Sequence, residues 1–149
     1  MSSIRTALIA LALGFLSQLA QHALETDYLN AFLRNNLLTI LIALLAINSA
    51  TTGIVLTKIR GLMEMGGNGS TFKSTREQMV LAVREQVALI VVAIAALTVA
   101  SSPILPQSGI VELFFESLVV GVFAYSLFVL YDTAVGVLII IDFDPSAES

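Results

Sequence analysis

Apolar residues run along this chain in four long blocks, separated by short polar stretches rather than alternating with them. The blocks cover residues 4–24, 37–59, 82–102 and 113–141. As helices rising about 1.5 Å per residue, they match or exceed the ~30 Å hydrocarbon core of a bilayer. The pattern predicts an all-α membrane protein with four transmembrane helices in a small bundle.

The polar positions refine that reading. Ser17, Gln18, Gln21, His22 and Glu25 recur at helical spacing, so one face of the first block's outer half should turn toward other helices or the interface. Arg5 followed by an apolar run has the outline of a secretory signal. No small-x-small cleavage site follows it, so the segment is expected to be retained as a span. After it, Tyr28, Leu29, Phe32 and Leu33 share one helical face opposite Asp27, Asn30 and Arg34, which predicts a short interfacial helix. The second block carries Asn48 and Thr52. The Asn48 amide should face protein, because in lipid it would be left without partners. Its Ala46-xxx-Ala50 and Ser49-xxx-Gly53 pairs, like Ala10-xxx-Gly14 in the first block, offer faces for close helix approach.

Residues 60–74 are glycine-rich and predict a flexible loop. Ser74 with Glu77 fits a capping box opening the third helix. Its first turns, with Arg76, Glu77, Arg84 and Glu85, should project from the membrane as a cytoplasmic extension. Pro103, Pro106 and Gly109 predict a turn, and residues 142–149 form an acidic tail that Pro145 keeps from being helical.

Composition agrees with the pattern. Of 149 residues, 57% are hydrophobic and only 12% charged, about half the share in soluble domains. A single polytopic domain over residues 1–149 is expected. Cysteine is absent, which excludes disulfides and thiolate chemistry. Charge orients the chain. Five of the seven cations, Lys58, Arg60, Lys73, Arg76 and Arg84, lie between the second and third blocks or at their facing ends, and Arg5 lies at the N-terminus. Both termini are therefore expected in the cytoplasm. Small size and compactness suggest a bacterial inner membrane.

The candidate chemistry centres on Asp132. An acid inside a membrane helix is costly and marks either an ion or proton path or a paired charge. The pairing candidates are Lys58, Arg60 and Arg84, at the cytoplasmic ends of neighbouring spans. Ser117, Gly121, Tyr125, Asp132 and Gly136 form one stripe of the last helix, with the small residues and polar groups of a packing seam. His22, the lone histidine, reads as an incidental interfacial residue. No serine is placed with a base, no acids share a cleft, and no glycine-rich loop opens a nucleotide site. Neither an enzyme nor a cofactor, metal or nucleic-acid site is expected.

The favoured function is a protein that works by assembling, with itself as a homo-oligomer or with a cytoplasmic protein partner met through residues 60–85 and the acidic tail. It would serve as a sensor, an anchor or a permeabilising effector, the kind of part that stress-response and phage-defence systems use. The alternative is a small proton- or ion-coupled transporter or channel using Asp132. In outline the layout resembles the small multidrug resistance transporters, but those carry their essential glutamate in the first span and this chain has Asp132 in the last.

Overall fold

The computed structural model describes residues 3–64, 69–102 and 109–141. They form four helices: α1 (Ser3–Ala23), α2 (Tyr28–Glu64), α3 (Gly69–Ala100) and α4 (Gly109–Ile141). Each holds a stretch long and apolar enough to cross a membrane, and no strand occurs among the described residues.

α1 ends in a left-handed C-cap. Glu25 takes φ 50°, Thr26 N–H donates to the Gln21 carbonyl at 3.0 Å and Glu25 N–H to the His22 carbonyl at 3.3 Å. These two bonds satisfy carbonyls that a helix end otherwise leaves open. The Thr26 hydroxyl then accepts the Tyr28 N–H at 3.3 Å and starts α2. The chain thus reverses in four residues, 24–27.

Two expectations change here. The amphipathic piece around Tyr28–Leu33 is the opening of α2, continuous with the second span, and not a separate interfacial helix. No proline or glycine interrupts it. Leu33, Leu37 and Leu41 are fully buried at successive turns, so one packing stripe runs through the expected boundary. The capping box is also displaced. α3 begins at Gly69, so Ser74 and Glu77 lie inside the helix, and most of the expected loop is helical. The remaining residues 65–68, the proline turn and the acidic tail lie outside the described residues.

α2, α3 and α4 pack on one another, and α1 lies along α4. The upper core joins Leu33, Leu37 and Leu41 of α2 to Ala93 of α3 and to Val119, Val120 and Val122 of α4. A lower cluster joins Val55 and Ile59 to Met79 and Val137. These contacts keep the three helices in register. Arg34, Ala100 and Glu116 line one pocket near the α1–α2 turn. Twenty-one residues separate Arg34 from Val55, Ala100 from Met79 and Glu116 from Val137, so equal steps along each helix correspond to equal heights.

Candidate functional site

Polar side chains gather at two heights in this bundle. The upper layer ties α1 to α2. Gln18 and Asn30 exchange amide hydrogen bonds at 2.9 and 2.7 Å. The Gln21 amide donates to Asn30 Oδ1 at 3.2 Å, and its own carbonyl oxygen accepts the Leu29 and Asn30 N–H groups. All three side chains are buried. Of the polar face expected of α1, Gln18 and Gln21 turn inward onto α2, Ser17 is half-buried, and His22 and Glu25 are exposed. One turn below, Arg34 donates to Glu116 at 3.0 Å, with Glu112 at 4.0 Å. Arg34 and Glu116 line a pocket of about 280 Å³ with Asn35 and Ser101 and the apolar Leu97, Phe115 and Val119.

The second layer lies inside the three-helix core, fourteen residues from Arg34 along α2 and fourteen from Ala100 along α3. Asn48 Nδ2 donates to Gln86 Oε1 at 2.5 Å, and both side chains are almost wholly buried. Asn48 Oδ1, Gln86 Nε2 and Thr52 Oγ1, one turn away, are buried with no hydrogen-bond partner. Gln86 is the buried polar residue that sequence reasoning missed. It stands in the stretch expected to project from the membrane as a stalk, yet it is the deepest polar group of α3. Its seven-residue spacing from buried Met79 and Ala93 is the signal that marks it.

Two exposed charges stand within about 3 Å of the height of this second layer. Asp132 lies sixteen residues beyond Glu116, and Arg84 sixteen before Ala100, so the two stand at one height, about 24 Å below the Arg34–Glu116 layer. Both are exposed, and among the described residues neither has a hydrogen-bond or ion-pair partner. The surface above them is apolar at Ile47, Val87 and Leu127, and the surface below at Ile54, Leu81 and Leu138, all exposed. Both charges thus fall inside the apolar stretches of their helices, Arg76–Ala100 and Gly109–Leu138. Lys58 and Arg60 are exposed lower on α2 and have interactions of their own.

The predicted stripe of α4 divides along its length. Ser117 and Gly121 are buried under α1. A Cβ at Gly14 would run into the Ser117 carbonyl and lie 3.0 Å from the Gly121 nitrogen; one at Gly121 would lie 3.3 Å from Leu11 and 3.4 Å from the Ala10 carbonyl. Backbone meets backbone there, as small residues permit. Tyr125 is half-buried and lines a groove of about 410 Å³ between α1 and α3, together with Ile4, Leu11, Glu85 and Leu89. Gly136 is half-buried with open space where a side chain would go. The described part of α1 does not cover Asp132. The sequence-predicted residues are thus brought together as a packing seam in the upper half, while Asp132, Lys58, Arg60 and Arg84 do not converge on one site. Among the described residues no three His, Asp or Glu side chains cluster as metal ligands would.

Comparison with known proteins gives no match: no family model, curated protein or solved structure matches this chain.

Proposed function

We propose that this is a small multipass protein of a bacterial inner membrane that acts by assembly, with itself or with a cytoplasmic partner, as a sensor, anchor or permeabilising effector. Both termini face the cytoplasm in this reading, on the strength of the five cations in the C-terminal end of α2 and the N-terminal half of α3. The observation that carries it is the exposed Asp132 in the apolar stretch of α4. A carboxyl group there is disfavoured by roughly 2.5–3.5 kcal/mol on insertion scales, and its own chain leaves it uncovered. Residues 60–85 and the acidic tail supply the face for a cytoplasmic partner.

A second reading, a proton- or ion-coupled transporter or channel, is favoured by one observation. Asn48, Thr52 and Gln86 place unpaired polar atoms inside the three-helix core, within about two turns of the Asp132 height. Reconstitution into liposomes with an ion-flux readout separates the two. Under the assembly reading, Asp132→Asn lowers abundance or association in the membrane. If wild-type protein instead conducts or exchanges ions as isolated single chains, and Asp132→Asn folds normally but abolishes that flux, the transport reading holds and assembly falls.

A further inference from the structure

We propose that Arg84 of one copy and Asp132 of a neighbouring copy form an ion pair within the apolar belt, so that the partner of this surface is a second copy of the same chain. This rests on the assembly reading and names the contact that carries it.

Two copies inserted in the same direction are related by rotation about the membrane normal, which leaves every atom at its own depth. A side chain of one copy can meet a side chain of the other only if both lie at the same height. Arg84 and Asp132 satisfy that condition: each stands five residues above the cluster in which Met79 meets Val137, and sixteen below the layer of Ala100 and Glu116. They are of opposite charge, both exposed, and both without a partner among the described residues.

No hydrogen bond or ion pair joins the two within the chain. Arg84 projects from the face of α3 that also exposes Val80, Val87 and Val91, and Asp132 continues the α4 stripe of Gly121 and Tyr125 beyond the cover of α1. Each charge lies among exposed apolar side chains, where a lone ion is disfavoured and attraction to an opposite charge is stronger than in water. A two-fold arrangement forms the pair twice, Arg84 to the partner's Asp132 and the reverse. A ring forms it once per interface.

Charge reversal in separate chains tests this. Arg84→Glu alone and Asp132→Lys alone each set like charges against each other at every interface. Each is expected to weaken association by about a hundredfold, as like-charge juxtaposition costs several kcal/mol. Co-expression of the two variants under different tags should restore assembly, but only as mixed complexes, since every mixed interface regains opposite charges. Restoration only when both changes are in one chain, with no mixed complexes, would place the pair within a chain and overturn the proposal.

A second measurement does not depend on how the reversed variants fold. The chain has no cysteine. Differently tagged Arg84→Cys and Asp132→Cys chains, co-expressed and oxidised in membranes, should cross-link to each other far more than either does to itself. Wild-type protein that is oligomeric by mass but shows neither this cross-link nor sensitivity to charge reversal would refute the Arg84–Asp132 contact and leave the assembly reading standing. Wild-type protein that is strictly monomeric would remove both.

Discussion

Asn48 and Gln86 show how far a single residue can be read. The need of Asn48 for a protein partner follows from its place in an apolar helix, and the structure supplies that partner. The identity of the partner was not legible. Gln86 directly follows Arg84 and Glu85, and two charges in a row suggest a solvated stalk more strongly than a seven-residue spacing suggests a buried face. Replacing Asn48 by Leu should strand the Gln86 amide and destabilise the protein by about 1–3 kcal/mol. Adding Gln86→Leu should recover part of that loss, because the pair then vanishes as a unit. Unfolding by detergent titration, followed by helical circular dichroism, measures both. Losses that simply add would show the two amides acting independently. Asp132 illustrates the complementary limit. Spacing along a helix fixes the height and direction of a side chain, but not which neighbour covers it. Three cations stand in reach by sequence, yet Asp132 makes no hydrogen bond or ion pair with any of them among the described residues.

Among the helices, α1 depends most on a single contact. It lies along α4, and where the two backbones touch, Gly14 faces Ser117 and Gly121. Gly14→Ala should destabilise the protein by about 1–3 kcal/mol, since the added methyl meets backbone that cannot yield as a side chain could. Gly53→Ala is the control. Nothing lies within 4 Å of the added carbon, so the change should be neutral or stabilise α2 by up to about 1 kcal/mol through helix propensity. The same detergent titration compares them, and equal losses at the two glycines would show that the α1–α4 seam carries no special weight. Gly121→Leu should separate α1 from α4 outright. Small-residue pairs recur through all the apolar blocks, so the sequence announced candidate seams without selecting one. Ala10-xxx-Gly14 is the pair in use, and Ser49-xxx-Gly53 is exposed. Selection depends on which helices lie side by side, a property of the whole bundle. The two elements whose boundaries moved, the opening of α2 and the start of α3, share a related cause. Local amphipathicity and capping chemistry mark plausible ends, but an unbroken stripe of buried leucines carries α2 through the first, and α3 begins before the second.

At the scale of the molecule, four helices around a thin core leave much of the apolar surface to be covered from outside. Lipid can cover Ile42, Val91 or Leu138, but it offers little to Asp132. The four spans were legible because length and hydrophobicity act locally, and a bilayer demands little more. Orientation rests on the same kind of local signal. A reporter that is active only in the cytoplasm, fused after Ser149, should be active, and periplasmic activity at that position would reverse the proposed topology. Function was less legible, because association depends on surfaces that become a site only when a second molecule supplies the other half. The most direct test of association is the mass of the wild-type protein, taken from membranes into several mild detergents and into lipid nanodiscs. A defined multiple of the 15.9 kDa chain in each is expected; a single-chain mass in all of them would contradict the proposal that this protein works by assembling.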